Sequence, residues 1–125
     1  MLIHQLTRDE CLEVLSRATM GRLACAHGDQ PYIVPISLHF DGTAGLYSFS
    51  TVGQKIHWMR NNPKVCVEAD EVADRFHWTS VVVIGTYEEL VDRPGESART
   101  RVHAQPTISG RSYGTAAVET TSTLH

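Results

Sequence analysis

Leu46-Tyr47-Ser48-Phe49-Ser50-Thr51-Val52-Gly53-Gln54-Lys55-Ile56 begins as a strand, breaks at a glycine and restarts as a helix near Gln54. A helix start leaves free amides and a partial positive charge. Ser50 and Thr51 add hydroxyls, and Lys55 puts a full charge one turn in. Gly53 lets the backbone come close to a ligand. This combination suits a phosphate monoester. The triplet Gly53-Gln54-Lys55 alone is a weak signal, because most such triplets are solvated loops.

The preceding strand candidate runs from about Tyr32 to Phe40 and carries Pro35. Proline donates nothing to a ladder, so Pro35 marks an edge or a bulge. A broken ladder leaves amides and carbonyls free for a planar heterocycle. Upstream, Thr7-Arg8-Asp9-Glu10 forms a capping box, with Leu6 and Cys11 at the staple positions. It opens a helix from about Thr7 to Ala18 with one apolar stripe, and Gly21 supplies a stop. Arg22 to Ala26 is a strand, and the first three strands look like a β-meander.

Downstream, Asn61-Asn62-Pro63 ends the short helix. Val65 to Ala69 alternates as a strand, the acidic stretch Asp70 to Asp74 is a loop, and Trp78 to Leu90 is the longest strand. The run Val81 to Ile84 predicts burial on both faces of its sheet. A short helix is expected near Glu96. From Pro106 large apolar residues thin out, which predicts a weakly ordered tail with at most one short strand.

The chain has 125 residues, 42% hydrophobic and 20% charged, with a net charge of −3. That balance fits one globular domain and argues against a nucleic-acid partner. No apolar run approaches membrane-spanning length, and the first residues lack a signal-peptide pattern. Cys11, Cys25 and Cys66 form no C-x-x-C pair, so a reducing cytoplasm is the simplest home. The seven histidines show no metal-ligand spacing, and no metal is predicted. Trp58 reads as core or interface packing. Glu68, Asp70, Glu71 and Asp74 read as a solvated loop.

The segments Pro31 to Ser37, Phe40 to Gly42, Leu46 to Ile56, Met59 to Glu68 and Trp78 to Gly85, in that order, resemble the pyridoxamine 5'-phosphate oxidase-like family, closest to its nitroimidazole-resistance-type branch. Gly21-Arg22-Leu23-Ala24 fits as well. The resemblance implies a mainly β (α+β) fold, an FMN-binding split β-barrel. This would be an antiparallel Greek-key barrel of about six strands with two or three short helices. It would occupy residues 1–105, with 106–125 a divergent tail.

The resemblance also implies roles. Ile33, Val34, Pro35, Ile36 and Ser37 would lie along the isoalloxazine and ribityl chain, largely through backbone. Ser48 and Phe49 would flank the phosphate end beside Ser50 and Thr51. Gln54 and Lys55 match the phosphate-gripping pair, and because Gln54 stands where the oxidases have arginine, Lys55 would carry the charge. Trp78 and Ser80 match positions that reach the flavin from a partner subunit, so a homodimer is implied. FMN would then move electrons from a small-molecule donor to an acceptor such as a nitro compound or quinone. Deazaflavin or haem in the same groove, and a non-catalytic flavin sensor, are the alternatives. Arg111 is the only Lys or Arg from Pro106 onward, so the substrate-binding basic cluster of true pyridoxamine phosphate oxidases has no counterpart. That reaction is not predicted.

Overall fold

The computed structural model describes residues 2–42, 45–50, 54–90 and 98–114. The side chains of Phe49, Ser50, Gln54, Lys55, Leu90, 98–101 and 103–107 lie outside the described residues. So do residues 51–53, and with them the predicted roles of Thr51 and Gly53.

The strands are β1 (Leu2–Gln5), β2 (Met20–His27), β3 (Gln30–Ser37), β4 (His39–Phe40), β5 (Gly45–Ser50), β6 (Lys64–Asp74), β7 (His77–Leu90) and β8 (Ala98–Gly114). Two helices, α1 (Arg8–Arg17) and α2 (Gln54–Asn61), join them. All strand pairs are antiparallel, in the order β3-β2-β6-β7-β8-β5-β4, with β1 on the free side of β8. The sheet curls into a split barrel without closing: β3 and β5 approach each other but do not pair. No helix among the described residues is long and apolar enough to cross a membrane.

α1 forms as its sequence dictates. The Thr7 Oγ1 accepts from the Glu10 amide at 3.2 Å, and Glu10 Oε1 accepts from the Thr7 amide at 2.8 Å. Cys11, Val14 and Leu15 face the core. Thr7→Ala removes one side of this box and should lower unfolding free energy by ~1 kcal/mol, read as a lower urea midpoint. In α2, Ile56 and Met59 are fully buried, and Arg60 clamps Glu89 of β7 through bonds of 2.6 and 3.0 Å. That pair holds the Glu89 carboxyl below its ordinary range. At the end of α2, Asn62 Nδ2 donates to the Ala26 carbonyl at 3.3 Å. Trp58 is half-buried, 5.5 Å from the His27 ring and 5.4 Å from the Tyr32 ring, so it is a packing residue.

The core lies inside the curl, built from alternate residues of each strand, among them Leu23, Leu46, Val67, Val81 and Val83. Several expectations change. The meander is incorrect: β2 and β3 form one hairpin and β4 and β5 another, at opposite edges of the sheet. Gly21 does not stop α1, which is capped at Ala18; it lies within β2. Pro35 does not break the ladder, because β3 pairs with β2 in unbroken register. β3 is an edge strand, and the proline sits there without cost. Asp70 to Asp74 continues β6 instead of forming a loop. The acids are accommodated because Glu71 binds Arg17 at 2.8 and 3.0 Å, while Asp74 caps the hairpin by accepting from the Phe76 amide at 2.8 Å.

The largest difference is β8. It runs through Pro106 to Gly114, so residues 106–114 are a strand of the main sheet rather than a weak tail. Its register against β7 shifts between Ile84 and Thr86, opposite the stretch holding Pro106. An irregularity of this kind is where a sheet tolerates proline. Residues 91–97, including the expected helix at Glu96, and 115–125 lie outside the described residues.

Candidate functional site

Alternation that fills the core also decorates the other face of β3, β2, β6 and β7. The register aligns Ile33, Ala24, Cys66 and Ile84 in one row across the four strands. Pro35, Arg22, Glu68 and Val82 form the next. Ile33, on the edge strand, is 65% exposed, and Ile84, in the interior of the sheet face, 52%, which is a large apolar exposure for that interior position. Met20 and Val72 are exposed on the same face. A shallow groove of about 320 Å³ runs along the first row, lined by Ala24, Ala26, Cys66 and Ile84 with Lys64 at its end. So Val81 and Val83 are buried within one chain, whereas Val82 and Ile84 look outward.

One polar island interrupts this face. Arg22 Nη1 lies 3.2 Å from Asp70 Oδ2 and 3.5 Å from Glu68 Oε1. The Ser80 hydroxyl donates to Glu68 Oε2 at 2.7 Å. Burial pushes the Glu68 carboxyl above its ordinary range; the Ser80 bond opposes this, the charge and hydrogen bond of Asp70 add to it, and Arg22 opposes it. These acids are a bonded network on a strand, which corrects the solvated-loop reading. Pairing Glu68 with Ser80 and Arg22 requires three strands to come into register, a long-range fact that local sequence does not carry. The one available signal was the period of two through Glu68 and Asp70.

The predicted site residues fall into three places. On β3, Val34 and Ile36 turn inward while Ile33, Pro35 and Ser37 turn outward along the open edge. On β5, Ser48 is buried on the inner row with Leu46. Phe49 and Ser50 continue that strand, Thr51 lies outside the described residues, and α2 begins at Gln54, with three residues between it and the end of β5 and with Lys55 in its first turn. On β7, Trp78 stacks on Tyr113 with centroids 4.9 Å apart, and Ser80 sits in the polar island. Trp78 and Ser80 are separated from β3 by β6 and β2.

Cys11 and Cys25 are buried in the core, Cys66 is half-buried in the groove wall, and burial raises the Cys11 and Cys66 thiols above their ordinary range. His77 Nδ1 lies 2.7 Å from Asp74 Oδ1, a bond internal to the β6–β7 hairpin. Among the described residues no group of three His, Cys, Asp or Glu side chains could hold a metal ion.

Comparison with known proteins agrees with this architecture. The sequence profile of the family described as Pyridoxamine 5'-phosphate oxidase matches residues 7–124. An uncharacterised protein of Rhizobium meliloti (strain 1021) is 46% identical over 104 residues, 83% of this chain and 68% of that one. The crystal structure of a FAD-binding protein of Mesorhizobium loti superposes with a TM-score of 0.83 at 37% identity, covering 91% of this chain and 100% of that one. A candidate 5-nitroimidazole antibiotic resistance protein of Bacteroides thetaiotaomicron shares the fold at a TM-score of 0.71 and 14% identity, over 90% of each chain.

Proposed function

The chain belongs to the pyridoxamine 5'-phosphate oxidase-like family, and from that premise we propose that it is a flavoprotein that holds FMN between two copies of itself. Its activity is electron transfer from a reduced donor to a small electrophile such as a nitro compound or quinone. The observation that carries the proposal is the start of α2 at Gln54, soon after the end of β5 at Ser50, with Lys55 in its first turn. Free amides and one cation there match the needs of a phosphate dianion. The FAD-binding name of the Mesorhizobium relative supports a flavin.

The rest of the chain supplies suitable donors and walls. Among the described strands β3 pairs only with β2, so its outer backbone edge is open to a heterocycle, and Ile33 and Pro35 flank it. The outward face of β2, β6 and β7 is apolar enough to be covered by a second copy. Such a copy would bring its Trp78 and Ser80 to an edge that its own β3 does not share. A bound flavin supplies the two-electron chemistry. The chain's part is to fix the phosphate, wall off water with Ile33 and Ile84, and present the Ser80 oxygen.

The test is a visible spectrum of freshly purified protein, with mass spectrometry of whatever it releases. An absorbance band at about 450 nm and the mass of FMN are expected. The mass of FAD would extend the ligand beyond a monophosphate, and a band at about 420 nm or a Soret band would replace FMN by deazaflavin or haem. Colourless protein that takes up no added FMN overturns the proposal.

A further inference from the structure

The polar island sits in the middle of the face that the preceding reading covers with a second copy, and the inference rests on that reading. Its charges do not balance. Glu68 and Asp70 share one nitrogen of one guanidinium, that of Arg22. The Arg22 distance to Asp70 is 3.2 Å and to Glu68 3.5 Å, so the cation leans toward Asp70. The nearest partner of Glu68 is instead a neutral hydroxyl, Ser80 Oγ at 2.7 Å. One positive and two negative groups leave each island with an excess negative charge.

β2 contributes Arg22, β6 contributes Asp70 and Cys66, and β7 contributes Ser80 and Val82. Beyond β7, the exposed Arg111 of β8 registers opposite Ser80, one strand removed from Glu68. Lys64 lies at the far end of the groove, four residues along β6. Covering this face strips water from a carboxylate whose one cationic contact among the described residues is the shared Arg22, at a cost that neutralisation avoids.

We propose that pairing of two copies through this face takes up one solvent proton per copy on the Glu68 carboxyl. Asp70 stays ionised against Arg22, and Glu68 becomes the neutral acid. Burial already raises the Glu68 carboxyl within one chain, and removal of the remaining water moves it further in the same direction. The sign follows from linkage: the paired state binds more protons than the separate chains, so association strengthens as pH falls through the interval between the two Glu68 values. The fold thereby carries a proton-sensitive control on assembly of the shared site.

Sedimentation of the whole chain as purified, from about pH 8 to about pH 5.5, tests this. The dissociation constant should fall at least about tenfold across that range, with a limiting slope of about two protons per pair. Glu68→Gln keeps the shape and the Ser80 bond; it should pair as tightly at about pH 8 as the wild type does at about pH 5.5, with the slope removed. Asp70→Asn removes the neighbouring negative charge, so it should move the transition to lower pH without abolishing it. A pair of constant affinity, as expected if a cation of the second copy met Glu68, overturns this inference and leaves the flavoprotein reading standing. Retention of the full slope in Glu68→Gln overturns it equally. A chain that stays single at every pH overturns both.

Discussion

Lys55→Ala should bind FMN about tenfold to a hundredfold more weakly than the wild-type chain, while its affinity for riboflavin stays unchanged. The magnitude follows from a hydrogen bond to a charged group, worth ~1.5–3 kcal/mol, at about tenfold per 1.4 kcal/mol. Riboflavin lacks the phosphate, so it separates phosphate binding from damage to the rest of the site. Lys55 occupies the first turn of α2, where helix amides and its own charge act in the same direction. Lys55→Arg should keep most of the affinity. Titration of the deflavinated chain followed by flavin fluorescence reads each of these affinities. Equal loss for FMN and riboflavin would remove Lys55 from the phosphate role and place its effect in folding.

A second large effect is expected at Gly21. A Cβ placed there would lie 2.8 Å from the backbone oxygen of Glu68 and 3.2 Å from Leu38 Cδ2. The first contact is with backbone, which cannot rotate away, so β2 must move off β6. Gly21→Ala should therefore cost ~2–3 kcal/mol, and Gly21→Val more than ~3 kcal/mol, a large share of a typical total of ~5–15 kcal/mol. Urea denaturation followed by tryptophan fluorescence measures both. An unchanged midpoint for Gly21→Ala would show that the strands have room that the structure does not give them.

Local rules were enough for some elements. Thr7 and Glu10 announced α1, Pro63 ended α2, and the alternation of Val65 and Val67 placed β6. They were not enough where a strand depends on distant partners. Asp70 to Asp74 is too acidic to look like a strand until Arg22 and Arg17 are brought beside it. The stretch from Pro106 onward looked too polar to belong to a core sheet and read as a weakly ordered tail. The place of β8 comes from β7 on one side and β5 and β1 on the other. The site divides in the same way. The stretch from Ser50 to Lys55 is contiguous in sequence, so the phosphate site proposed there could be argued from local residues. The bond from Ser80 to Glu68 spans two strands and was not.

The last strand also has a consequence for how the chain comes together. β8 hands its free side from β5, along 98–103, to β1, along 111–114. Leu2 therefore finds its partner, Gly114, only after more than a hundred intervening residues have been made. During synthesis the first strand waits without a mate, and the two parts of the sheet stay unjoined until β8 has been made. The local hairpins β2–β3, β4–β5 and β6–β7 need no such wait, so the late step is the joining of the sheet through β8, with the slow closure that distant pairings impose.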